Sequence, residues 1–226
     1  MGSYIFSCYS LFTQVCVNYY RPLFFKHNHF YTDLCIISKI KSKAAQKMTK
    51  RQKLITGFLE LAQKEGITLT GVDTIAEHTK ISKKTIYNNF GNKEGLVIEA
   101  LTSFSNNIQQ TWAEEWNIIE DKKELVLARF SELERLINNQ QFYGCIFMAA
   151  CREFSDEQHP LHQLAVKHKQ ASCIETQKRL TAFGIENSQL AFHIELLYEG
   201  LIVKLVAHKN VTLITDTKEI LRTLIK

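Results

Sequence analysis

The 226-residue chain reads as an all-α fold on three observations. Pro and Gly are few, at 2 and 9 residues, so helices are rarely interrupted. No sustained period-2 alternation occurs after Met48. Apolar residues recur instead at spacings of three and four, the pattern of helices that bury one stripe. This length can bury a full core in one or two domains.

Charge divides the chain into three portions. Residues 1–47 hold 6 basic and 1 acidic residues, residues 48–95 hold 8 and 5, and residues 96–226 hold 14 and 17. A basic head on an acidic body suits contact with a polyanion through the head alone. Residues 1–47 stand apart, with 10 of the 24 aromatics and 3 of the 6 Cys. They make a poor signal peptide, because no Lys or Arg precedes Arg21 and no small-residue cleavage site is evident. Ser, Thr, Gln and Asn break their uncharged run, which therefore makes a poor membrane span. The expectation is that this extension is translated upstream sequence or is disordered, with Met48 as the biological start. If it is native, its tail KIKSKAAQK is a basic arm beside DNA.

In the head, a helix is predicted from Thr49 to about Lys64, with Leu54, Phe58, Leu61 and Ala62 as its stripe and Gly66 as a left-handed cap. Thr70 and Asp73 have capping-box spacing and open a second helix with Val72, Ile75 and Ala76 on one face. After a break at Thr79 to Ile81, Ser82 caps a third helix, Lys83 to about Asn89. Ile86 and Phe90 point inward, while Lys84 and Asn88 point almost opposite to Ile86. Lys83 and Tyr87 lie on one flank, Thr85 and Asn89 on the other. No acid occurs from Lys80 to Lys93. Such an outer face carries donors for base edges and cations for phosphate, as a major-groove helix requires. Asn92 caps a fourth helix with Lys93 in its first turn, a suitable phosphate seat.

The segments LAQKEG, IAEHTKIS and TIYNNFGNKEGL, continuous from about Thr49 to Leu101, resemble the DNA-binding domain of the TetR/AcrR family of bacterial transcriptional regulators. The resemblance implies a helix-turn-helix motif at 71–90, with Lys83, Lys84, Thr85 and Asn88 toward base edges and Tyr87, Lys93 and Thr70 toward phosphates. The family usually has Gly where this chain has Lys80, and a non-Gly residue at positive φ costs on the order of 1 kcal/mol. The family's frequent Gly in the recognition helix is Lys84 here.

The body, 96–226, reads as five or six helices. Trp112 and Trp116 extend the fourth. Asp121 opens the next, with Leu125, Phe130, Leu133 and Ile137 inward and Asn138-Asn139 at its end. FYGCIFMAACREF reads as a short helix that is apolar nearly all round and buried. After the loop DEQHP, long helices are predicted from Leu161 to about Phe183, closed by Gly184, and from Ser188 to Ala207, striped by Leu190, Ile194, Leu197, Leu201 and Leu205. A last helix covers Asp216 to Ile225. The string GCIFMAACREFSDEQHP followed by AVKHKQ is similar to the effector domain of one subset of the same family. The resemblance implies a homodimer joined through the last two long helices, and a cavity for a small hydrophobic or amphipathic effector. Trp112, Phe130, Tyr143, Cys145 and Met148 are the expected lining. An effector there would change the spacing of two heads set for half-sites about 34–36 Å apart.

Other chemistry is thinly supported. Cys145, Cys151 and Cys173 form no CxxC pair, which leaves a cysteine redox sensor as a weak alternative. His159, His162 and His168 with Cys151 lack compact ligand spacing, so no metal or other cofactor is expected. Glu153 and Asp156 have no base or nucleophile beside them, and neither a phosphate-binding Gly loop nor a nucleophile elbow occurs, so no enzyme is expected. The expected protein is a cytoplasmic, ligand-responsive repressor on double-stranded operator DNA, without membrane contact. The alternative of another class is a helical small-molecule-binding protein that does not bind DNA.

Overall fold

A computed structural model of the chain describes residues 48–225, all of whose regular elements are helices. The expectations for residues 1–47 lie outside the described residues. The nine helices are α1 (Lys50–Glu65), α2 (Val72–Thr79), α3 (Lys83–Phe90), α4 (Lys93–Ile118), α5 (Lys122–Asn138), α6 (Ile146–Glu153), α7 (Pro160–Ala182), α8 (Ser188–Ala207) and α9 (Thr212–Leu224).

Local chemistry explains most of the boundaries. Thr49 and Gln52 form a reciprocal capping box on α1. Ser82, Asn92, Asp121 and Asn187 cap α3, α4, α5 and α8 through their side chains. His159 caps α7, and Pro160 takes the first helical position, where its missing N–H costs nothing. Gly66 ends α1 at φ 103° and ψ 157°, a positive-φ stop outside the expected left-handed well. The Gly57 position is also dictated by its neighbours. A Cβ there would collide with Thr79 Cγ2, so α1 and α2 pack with backbone against side chain.

Four expectations are corrected. Thr70 does not cap α2; Gly71 holds the cap position without a side-chain bond. The Thr70 hydroxyl instead donates to the Gly66 carbonyl at 2.7 Å and closes the α1–α2 turn. The FYGCIFMAACREF segment is not one buried helix. Gln140 and Gly144 adopt positive φ, so α6 begins only at Ile146, and Met148 on its outer side is 48% exposed. Leu197 leaves the buried stripe of α8, whereas Ile194, Leu201 and Leu205 keep it. Helix α9 starts four residues early, because the Asn210 carboxamide oxygen accepts from the Thr212 amide at 3.0 Å and its hydroxyl at 2.7 Å.

Two apolar cores result. The first joins the head to the body, packing Leu54, Phe58, Ile67, Ile75, Ile81 and Ile86 with Leu96 and Leu101 of α4, Ile146, Phe147 and Ala150 of α6, and Leu161 and Ala165 of α7. The second packs α5 and the end of α7 against α8 and α9, around Leu127, Phe130, Leu180, Ile194, Leu205 and Leu221. The polar residues buried in the body are densely paired. Arg179, 2% exposed, donates to Glu175, Glu115 and the Leu125 carbonyl at 2.7–2.8 Å, tying the far end of α4 to α5 and α7. Glu195 accepts from Arg129, Ser172 and Thr176. Such a cluster holds its elements in one arrangement because each group, once desolvated, needs its partner.

Candidate nucleic-acid interface and effector region

The helix-turn-helix is built around Ile75, Ile81 and Ile86, which are 0%, 8% and 0% exposed. Lys80 makes the turn at φ 58° and ψ 34°, inside the left-handed region. The turn expected of Gly is therefore retained with a Lys, at the cost of local strain. Ser82 holds the start of α3 by accepting from the Thr85 amide at 3.3 Å.

The outer face of α3 carries Lys84, Tyr87 and Asn88, all exposed. None has a hydrogen-bond or ion-pair partner among the described residues. Thr85 is partly covered; its hydroxyl meets Ser82 Oγ at 3.0 Å, and its carbonyl accepts from the Asn89 amide group at 2.7 Å. Lys83 is exposed but paired with Asp73 in the first turn of α2, and that carboxylate raises its pKa. The acid-free run from Lys80 to Lys93 is thus answered by an acid from the preceding helix. Lys93 Nζ donates to the Thr68 carbonyl at 2.7 Å, and partial burial lowers its pKa. The Thr70 side chain is fully buried, so its hydroxyl offers no surface to a phosphate, which corrects that expectation.

Arg51 was not singled out by pattern, yet it anchors the recognition helix. Its guanidinium forks onto both Glu99 oxygens, donates to the Asn89 carbonyl at 2.9 Å and lies 4.9 Å from the Phe90 ring centroid. It thereby joins α1, the end of α3 and the second turn of α4. Its main partner lies 48 residues away, and no local signal reveals such a pair.

The five residues expected around an effector lie in different surroundings. Phe130 is fully buried in the second core, edge-on to Tyr198 at 5.3 Å. Trp112 is half-buried, its ring 6.0 Å from His168. Tyr143 is 41% exposed between the Lys64 and Lys209 ammonium groups, and Met148 is exposed as well. Only Cys145 packs against both cores. A shallow depression of about 450 Å³ lies on α7, lined by Ile174, Gln177, Lys178, Thr181 and Ala182 and by none of the five. It is a surface hollow on a single helix, apart from the interior between the two cores.

That interior is more polar than the sequence pattern implied. His168 stacks on Phe147 with centroids 3.7 Å apart, and its Nδ1 meets Ser105 Oγ at 2.8 Å. Burial lowers its pKa to about 4, and Lys169 and Arg129 push it the same way. Arg129 lies over the Tyr198 ring at 3.7 Å, and Lys169 pairs with Glu199 at 2.5 Å. Burial raises the pKa of the Cys151 and Cys173 thiols, which disfavours the reactive thiolate. His159 caps α7, and the His162 ring meets the Phe154 carbonyl at 2.8 Å. Among the described residues no three His, Cys, Asp or Glu side chains converge as a metal site, and no helix is long and apolar enough to cross a membrane.

Residues 54–100 match the family model described as bacterial regulatory proteins, tetR family. The chain is 28% identical over 166 residues to the HTH-type transcriptional regulator YjdC of Escherichia coli (strain K12), covering 71% of this chain and 85% of that protein. A TetR-family transcriptional regulator from Streptomyces coelicolor shares the fold at TM-score 0.69 and 21% identity, over 84% of this chain and 96% of its own. A TetR transcriptional regulator from Legionella pneumophila does so at TM-score 0.73 and 19% identity, over 80% and 100%.

Proposed function

We propose that the chain is a TetR-family DNA-binding transcriptional regulator, a ligand-responsive repressor that binds operator DNA as a homodimer. Each protomer lays α3 in the major groove of one half-site. Lys84 and Asn88 read base edges, while Tyr87 and the start of α4 meet phosphates. The observation that carries this reading is the outer face of α3, where Lys84, Tyr87 and Asn88 stand exposed on a helix held at both ends by Ser82 and Arg51.

The second copy docks on α7 and α8. Ile174, Phe192, Leu196 and Val203 are 57%, 55%, 52% and 67% exposed there, and a face this apolar favours burial. The effector is a small amphipathic molecule taken between the two cores near Trp112 and Cys145, where apolar walls meet the polar groups of His168, Arg129 and Tyr198. Tyr143, Met148 and Phe130 are left out of this site.

The test is binding of duplex DNA from upstream of its own gene, across a salt series. If each head neutralises about three phosphates, log K falls with log salt at a slope near −5. Lys84→Ala and Asn88→Ala each weaken binding by about 5- to 150-fold. A purified dimer that ignores this DNA at low salt refutes the reading.

A further inference from the structure

Glu153 ends α6, and its carboxylate reaches back into the head. Oε1 accepts from the Ile67 amide at 3.2 Å, and Oε2 accepts from the Thr68 amide at 2.7 Å and the Thr68 hydroxyl at 2.8 Å. These donors lie in the α1–α2 turn, where no helix satisfies them. The turn is shaped to receive the acid. Gly66 sits at φ +103°, and a Cβ there would come within 3.3 Å of Glu153 Oε1. Lys93 of α4 holds the same residue from its other polar group, the Thr68 carbonyl. The hydrogen bonds from Thr68 and Ile67 act against burial and leave the Glu153 pKa lowered, so the acceptor stays ionised.

The next residues repeat the contact. Phe154 stacks on His159 at 4.6 Å, and His159 Nε2 lies 3.8 Å from Glu94 in the first turn of α4. The α6–α7 corner therefore touches the head at the α1–α2 turn and at the start of α4. Ile67 carries the grip inward, because it packs in the same core as Ile75 and Ile86 of the two motif helices.

We propose that Glu153 is a positioning residue for DNA binding: it latches the α1–α2 turn onto the α6–α7 corner and so sets the tilt at which α3 is presented to its half-site. A head joined to the body only through α4 and apolar packing could pivot. Three charge-assisted bonds to one small turn remove that freedom, since each is directional where packing is not. This inference rests on the operator-binding dimer proposed above.

The test compares the wild-type full chain with Glu153→Gln, which keeps the shape but turns one acceptor oxygen into a donor facing backbone N–H groups. Thr68→Val is the milder variant, removing one of the three bonds. In the DNA-free protein, amide exchange at Ile67 and Thr68 rises about tenfold or more in Glu153→Gln, while Leu54 and Ile86 stay protected. On duplex DNA from upstream of its own gene, the variant binds the native half-site spacing about five- to tenfold more weakly, with an unchanged salt slope. It also discriminates less than wild type against half-sites moved apart by one base pair. Thr68→Val shifts in the same direction by less. Faster exchange with wild-type spacing preference would make the contact merely structural and overturn the proposal, and unchanged exchange would overturn the latch itself. Wild-type protein that ignores every duplex refutes operator binding instead, a different signature, and this proposal falls with it.

Discussion

Replacing Arg51 with Ala tests how the recognition helix is held. The change removes three things. The fork onto Glu99 is half-exposed, at 47% and 33%, and is worth about 0.2–1 kcal/mol. The bond to the Asn89 carbonyl contributes about 1 kcal/mol. The contact with the Phe90 ring adds about 0.5–1 kcal/mol. The three share one side chain and are not additive, so about 2 kcal/mol is a sensible total. For a chain of this size that lowers Tm by about 4–8 °C. The loss is concentrated where α3 ends, so operator affinity should fall by more than stability alone dictates at a temperature well below Tm. Arg51→Lys restores a point charge but neither the fork nor the planar face, and should recover only a minority of both effects. Scanning calorimetry and fluorescence anisotropy on labelled DNA measure the two quantities. An Arg51→Ala protein that melts within a degree of wild type and binds equally well would refute the anchoring argument.

Three further outcomes follow from the same geometry. Lys80→Gly relieves the left-handed strain at the motif turn and, after the entropy that Gly adds to the unfolded chain, should raise stability by about 0.5 kcal/mol, read as a small rise in Tm; a fall would contradict it. Lys83→Ala should weaken operator binding less than Lys84→Ala, because Asp73 already engages Lys83; the reverse order by anisotropy would show that the pair opens on DNA. His168 gives an acid-side dependence. Its folded pKa lies below the unfolded value, so its contribution is fully present above about pH 6.5 and is lost as pH falls toward about 4, on the order of 2 kcal/mol after allowance for its partial solvation. Denaturant midpoints across that window should fall for wild type and change less steeply for His168→Gln, which can still bond to Ser105.

The legible part of this protein is the part written in short-range terms. Ser82, Asn92 and Asp121 stand where a cap must stand, and the stripes of Leu54 and Phe58, or Leu125 and Phe130, name their buried faces through the 3.6-residue period alone. The outer face of α3 followed from the same period. The misreadings arose where local signals competed. Thr70 had the cap spacing, but the turn drew its hydroxyl to Gly66. Asn210 began α9 ahead of Asp216. FYGCIFMAACREF had enough apolar residues for a buried helix, but Gly144 turned the backbone at its start.

By itself, then, the order of residues determined most of the buried faces and several of the capped starts, and the outward side of α3, because a helix is stabilised by neighbours three and four positions away. Only the tertiary structure decided that Arg51 would meet Glu99, that Glu153 would meet Thr68, and that Arg179 and Glu195 would lie buried and paired in the body. Those partners are brought together by packing across tens of residues, and a charged side chain looks the same in a sequence whether it faces water or a carboxylate.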